Sequence, residues 1–304
     1  MKTFLLCLCL LAPLLRAESA DPGSDRVEFR ADVPFLAGGR TETLDLYLPK
    51  NRKPGTQSPA IVLIHGGGWK EGDKAQAREK EFGIFFAENG FVVASVNYAL
   101  RSAGRYPVNL QDCKNGVRYL RAHAKELGLD PDRIAVMGGS AGGHLALMVA
   151  YTADDPGLSP AEPYPGVSDR VKAVVDFYGI TDIGGRKKTD PDGKPTELRG
   201  MDEEGKAVFG PDEKDWKQAS PIAHVRRDVP PTLIVHGKKD TTVDRDQSQL
   251  LADALKKAGA EVELVWLPQA GHSFSLRYEK PREQKGPLEK NLEPMVLRFL
   301  KKHL

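Results

Sequence analysis

Residues 134–150 read IAVMGGSAGGHLALMVA, and the fold turns on how this stretch is parsed. Ile134 to Met137 is a short apolar run that reads as a strand buried on both faces. Leu145 to Ala150 is apolar all round and reads as a buried helix. Between them, Gly138-Gly139-Ser140-Ala141-Gly142 leaves room only for a sharp strand-to-helix turn. A serine at the apex of such a turn is strained and presents its hydroxyl, while small residues at 138 and 142 let strand and helix approach. The helix start then offers backbone N–H groups and the positive end of a dipole to negative charge developing beside Ser140. An idle serine in a glycine-rich turn would share this sequence, so the motif needs partners.

Working outward, the rhythm repeats. Ala60 to His65 (AIVLIH) and Phe91 to Tyr98 (FVVASVNY) are buried strands, with an amphipathic segment closing at Phe82 to Ala87 between them. Leu110, Cys113, Val117, Leu120, Ala124 and Leu127 fall at helical spacing, and Asp130-Pro131-Asp132 reads as a turn. Val171 to Tyr178, Thr232 to His236 and Val262 to Leu267 are further strands. Ser248 to Ala258 and Leu288 to Leu300 are amphipathic helices. Strands alternating with helices predict an α/β fold with a mostly parallel sheet covered on both faces. Thr43 to Leu48 alternates instead, which predicts a partly exposed antiparallel strand near the sheet edge. Residues 181–219 are rich in Gly, Lys, Asp, Glu and Pro and too long for a simple connection, so they read as a surface excursion bordering a site, anchored by Trp216 and Phe209.

A serine nucleophile needs a base, and the base needs an orienting acid. His272 follows Gly271 just after the strand ending at Leu267, and Asp240 sits in the loop Gly237-Lys238-Lys239-Asp240 after another strand. Asp244 competes as the acid, and His236 ends a strand that places it near the site. His65 and His144 flank glycine motifs and read as structural. His65-Gly66-Gly67-Gly68-Trp69 follows the strand at 60–65, and its glycines can aim unobstructed N–H groups into a pocket. No Lys-Ser or Lys-Thr follows it, so a phosphate loop fails, and Glu71 stands where a dinucleotide fingerprint requires glycine. With the N–H of Ala141, this loop can form an oxyanion hole. Trp69 either stacks on an acyl or sugar ring or packs over the loop, and Trp216 is placed at the pocket rim.

The chain has 304 residues, 44 basic and 42 acidic. Its mean hydropathy is −0.41, and the one long apolar run lies in the first 20 residues, which excludes a polytopic membrane protein. Lys2, the apolar run Phe4 to Leu15 and small residues at Ala17, Ser19 and Ala20 read as a secretory signal peptide, leaving residues 21–304 as a single domain. Without Lys2 and Arg16 the basic count falls from 44 to 42 and equals the acidic count, giving no electrostatic reason to bind nucleic acid or an anionic membrane. Cys7 and Cys9 leave with the signal, so Cys113 remains unpaired and is expected to be buried. No His-Glu-x-x-His or paired Cys/His spacing occurs, so neither metal nor other cofactor is expected.

The glycine loop, the Gly-Gly-Ser-Ala-Gly-Gly-His144 turn and the order Ser140, Asp240, His272 resemble the α/β-hydrolase superfamily. Within it they resemble the hormone-sensitive-lipase-like esterases, and more closely the bacterial acetylxylan and feruloyl esterase group. The likeness runs from about Thr43 to Leu304 and includes Asn97-Tyr98, Pro107 to Asp112 and Ala219-Ser220-Pro221. It implies an eight-stranded sheet, an oxyanion hole made by Gly67, Gly68 and Ala141, and an exported serine carboxylesterase acting on acetyl or feruloyl groups of plant polysaccharide. The charged 181–219 segment is longer than the usual connection, and Asp244 stands where such proteins often carry proline. Rival readings are a general short-chain carboxylesterase, an arylformamidase and a non-catalytic binding protein on the same fold.

Overall fold

The computed structural model describes residues 23–53, 55–278 and 287–304. The segment read as a signal peptide, residues 1–20, lies outside them. In chain order the strands are β1 (Val27–Pro34), β2 (Thr43–Pro49), β3 (Ser58–Ile64), β4 (Val92–Val96), β5 (Leu129–Gly139), β6 (Ala173–Phe177), β7 (Lys187–Thr189), β8 (Pro195–Leu198), β9 (Thr232–Gly237) and β10 (Val262–Leu267). The helices are α1 (Ala77–Glu88), α2 (Val108–Ala122), α3 (Ala124–Leu127), α4 (Ala141–Tyr151), α5 (Glu203–Phe209), α6 (Glu213–Gln218), α7 (Asp246–Ala258) and α8 (Glu293–His303).

Eight strands form one sheet in the order β1-β2-β4-β3-β5-β6-β9-β10, and β7 pairs with β8 in a separate hairpin. Only β2 runs against the rest. The central strands are apolar on both faces because both faces are covered. Ala60, Val62 and Ile64 of β3 join a core with α2, α4 and α7, whereas Ile61 and Leu63 join a second core with α1 and α8. The crossing from β3 to β5 places the glycine loop and the Ser140 turn side by side at the carboxyl ends of adjacent strands, where open α/β sheets bind ligands.

Two local expectations change. Thr43 to Leu48 is antiparallel, but it is almost wholly buried because β1, an element not anticipated, pairs along its outer side. Asp130-Pro131-Asp132 is no chain reversal. It lies within β5, where the register jumps between Ser58 and Ala60 of the partner, so the polar residues are accommodated as an irregularity in a continuous strand.

Candidate active site

Ser140 sits between β5 and α4 with φ 58 and ψ −125. For a non-glycine residue that conformation costs about 1–3 kcal/mol and persists only where its surroundings impose it. Here the Ser140 N–H donates to Phe177 O at 2.9 Å and the His144 N–H to Ser140 O at 3.0 Å. A Cβ on Gly142 would lie 2.2 Å from Ile64 O, so only glycine lets α4 approach β3 this closely.

His272 projects from the loop after β10. Its Nε2 is 3.1 Å from Ser140 Oγ, and its Nδ1 is 2.6 Å from Asp240 Oδ2. The carboxylate accepts at Oδ2, so Nδ1 carries the proton and the Nε2 lone pair faces the serine hydroxyl. The Tyr178 ring crosses the imidazole at 4.6 Å, and its hydroxyl donates to Phe274 O at 3.1 Å, which restricts rotation of the His272 ring. Asp240 Oδ1 accepts the N–H groups of Thr242 (2.8 Å) and Val243 (2.9 Å). Asp244 does not reach His272, because its Oδ2 accepts the Lys187 N–H at 2.8 Å.

Sequence reasoning placed His236 near the site without a role. It is fully buried, and its Nε2 faces both Asp240 Oδ2 at 3.1 Å and Val243 O at 3.2 Å. Two acceptors fix the proton on Nε2, so Nδ1 accepts from Ser248 Oγ at 2.7 Å. Asp240 Oδ2 is therefore shared by two imidazoles. Burial alone would raise the Asp240 carboxyl, but hydrogen bonds from His236 and His272 hold it well below the usual carboxylate range. The spacing His236-x-x-x-Asp240 across the end of β9 is the signal that could have revealed this contact.

Beside this relay the glycine loop turns back on itself. Gly67 adopts φ 121, and a Cβ there would lie 1.9 Å from Glu71 O, so the turn is open only to glycine. The N–H groups of Gly67 and Gly68 donate to no backbone carbonyl among the described residues. That of Ala141 opens α4 and has no partner within the helix. Gly66 to Gly68, Ser140 and His272 line a cavity of about 890 Å³, whose far wall is formed by Arg186 and Arg199, which flank the β7–β8 hairpin, and by α5. The 181–219 excursion thus borders the cavity, with Phe209 buried edge-on against Trp69 at 4.8 Å.

Trp216 does not take the rim place expected of it, and Trp69, though it touches the cavity wall, takes the packing one of its two readings. Trp216 does not line the cavity; its indole N–H donates to Gly210 O at 2.8 Å and closes the turn between α5 and α6. The Trp69 indole is only 5% exposed and donates to His144 Nδ1 at 3.1 Å, so it packs beneath the loop. His144 in turn donates from Nε2 to Ala219 O at 2.7 Å, and burial lowers its pKa to about 4. Cys113 is buried and unpaired. Among the described residues no cluster of His, Cys, Asp and Glu could hold a metal ion, and no helix is long and apolar enough to cross a membrane.

A doubly covered sheet of this order, with serine on the turn after β5 and His272 and Asp240 converging from later loops, defines an α/β hydrolase. Within that class the chain belongs to the BD-FAE family, whose profile matches residues 44–255 and so includes Asp240 but ends before His272. Esterase LipQ of Mycobacterium tuberculosis is 32% identical over 249 residues, which are 81% of this chain and 57% of LipQ. The chain spans little more than half the length of the curated relatives it matches. Among solved structures, esterase Est2 of the planctomycete Thermogutta terrifontis in its propionate-bound form is 29% identical, with TM-score 0.71 over 89% of this chain and 93% of that one. The bifunctional GH43-CE protein of Bacteroides eggerthii is 26% identical, with TM-score 0.75 over 90% of this chain and 38% of that one.

Proposed function

We propose that the chain is a serine carboxylesterase. The observation that carries this reading is the continuous relay from Asp240 Oδ2 through His272 to Ser140 Oγ, opening on a cavity beside unused loop N–H groups. Ser140 Oγ attacks the ester carbonyl carbon as its proton passes to His272 Nε2. Asp240 holds the tautomer and stabilises the imidazolium. The carbonyl oxygen, now negative, lies toward the N–H groups of the glycine loop and Ala141. Collapse breaks the C–O bond, and the alcohol leaves with the proton from His272. Water then attacks the acyl-serine by the same route, releasing the acid and restoring Ser140.

The acyl group is read as acetyl or feruloyl on plant polysaccharide, with the protein exported by residues 1–20. The propionate bound in the Thermogutta relative is a short carboxylate, which supports the acetyl reading. A fluorophosphonate should label Ser140 and no other residue. Ser140→Ala should cut 4-nitrophenyl acetate turnover to the background left by the oxyanion hole, roughly 10³–10⁴ over water. Labelling elsewhere, or near-normal turnover in the variant, would overturn the assignment. Turnover of acetylated xylan, feruloylated arabinoxylan and 4-nitrophenyl acetate, compared side by side, tests the substrate class.

A further inference from the structure

The cavity wall opposite the glycine loop carries two guanidinium groups that the ester chemistry does not use. Arg186 stands just before β7 and Arg199 just after β8, and the Arg199 N–H donates to Arg186 O at 2.8 Å, so the hairpin ends hold them side by side. Both line the same cavity as Ser140 and His272. Arg199 meets Asp202 only at 3.9 Å, with both side chains well exposed, which is a weak pair. The Arg186 side chain is half-buried and makes no hydrogen bond or ion pair among the described residues. Burial, then repulsion from Arg199, lowers its pKa to about 10, although Asp202 and Asp244 act the other way. Over the whole lining, five basic side chains face three acidic ones. A half-buried, uncompensated cation on a binding wall is poised for an anionic ligand, and a guanidinium matches a planar carboxylate with two parallel N–H groups.

We infer that Arg186, supported by Arg199, forms a subsite for a carboxylate carried by the ester substrate, so that the preferred substrates are acidic esters such as acylated uronate-containing glycans. This rests on the esterase reading above and adds the charge of the substrate to it. The carboxylate can belong to the acyl part or to the alcohol part, and matched ester pairs separate the two. Mono-4-nitrophenyl succinate against 4-nitrophenyl butyrate probes the acyl part. 4-Acetoxybenzoate against its methyl ester probes the alcohol part.

For at least one pair, kcat/KM should favour the charged ester, and added salt should erode the preference. Arg186→Gln should lower the charged-to-neutral ratio by roughly tenfold, and Arg186→Glu should lower it further. Should Arg186→Gln fail to fold, Arg199→Gln, on an exposed side chain, reads the same ratio. A ratio unmoved by these substitutions in both pairs overturns the subsite while leaving the esterase intact. A chain that hydrolyses none of the four esters, and whose Ser140 resists fluorophosphonate, overturns the esterase reading and this one with it.

Discussion

At the residue scale, one carboxylate does work that its neighbour four positions later cannot. Asp240 gathers two backbone amides and two imidazoles, whereas Asp244 spends its accepting oxygen on the Lys187 amide. Asp240→Asn should lower kcat by roughly 10⁴, because the amide no longer dictates which His272 nitrogen carries the proton. Asp244→Asn should cost far less, and steady-state kinetics on 4-nitrophenyl acetate would expose a reversed order. Ser140, Asp240 and His272 were legible because each sits at a strand end beside glycines, where local sequence records the turn. The second imidazole on Asp240 was not, because the spacing His236-x-x-x-Asp240 permits the contact without saying that the His236 ring folds back toward its own loop. Trp216 was misplaced and Trp69 left between two readings for a related reason. An indole next to a glycine loop reads alike whether it faces ligand or core, and only the buried His144 acceptor decides for Trp69.

At the element scale, the excursion is less detached than its composition implies. Its β7–β8 hairpin is tied along the acid-bearing loop: Thr189 Oγ1 donates to Thr241 O at 2.9 Å, and a Cβ on Gly193 would lie 2.7 Å from Lys238 O. These ties are polar and its exposed strands bury few apolar atoms, so the hairpin adds little to the core but steadies the Asp240 loop. Replacing residues 190–198 with a short Gly-Ser linker should shift Tm by only a few degrees, since about 1 kcal/mol moves a domain of this size by roughly 2–4 °C. The same variant should lose more kcat/KM on polysaccharide esters than on 4-nitrophenyl acetate. Calorimetry and kinetics together check this, and gross unfolding would show that the hairpin is structural. The sheet was readable strand by strand because buried parallel strands are uninterrupted apolar runs. β1 escaped notice because residues 27–34 (VEFRADVP) mix charge with apolar residues along an edge.

At the scale of the whole molecule, two buried ionisable groups set opposing pH dependences of stability. Asp176 of β6 is fully buried, wedged between Gly143 and Gly179, and burial pushes its pKa up to about 7 against the fields of His236 and Arg78. Folding therefore takes up a proton on Asp176 between its unfolded value of about 3.9 and 7, and the penalty for burying it lessens as pH falls through 7. His144, lowered to about 4, behaves oppositely: below about 6.5 the unfolded chain binds the proton that folded His144 refuses, so acid destabilises. Between about pH 4 and 6.5 the two slopes offset each other. Asp176→Asn removes one of them. It should stabilise the fold at pH 8 by on the order of 3 kcal/mol, and by well under half of that at pH 5. Urea unfolding at both pH values tests this, and an equal gain at both would mean that Asp176 is not proton-linked.

The buried pairing of Trp69 with His144 has an optical consequence. Of the three tryptophans, Trp216 and Trp266 are partly open to water, whereas Trp69 is sealed edge-on to an imidazole and to Phe209. A sealed indole fluoresces at shorter wavelength than a wetted one, so the blue edge of the emission belongs mainly to Trp69. Because Trp69 continues the chain directly from the glycine loop, that band is a built-in, label-free reporter of whether the loop keeps its shape when a ligand enters or the solvent changes.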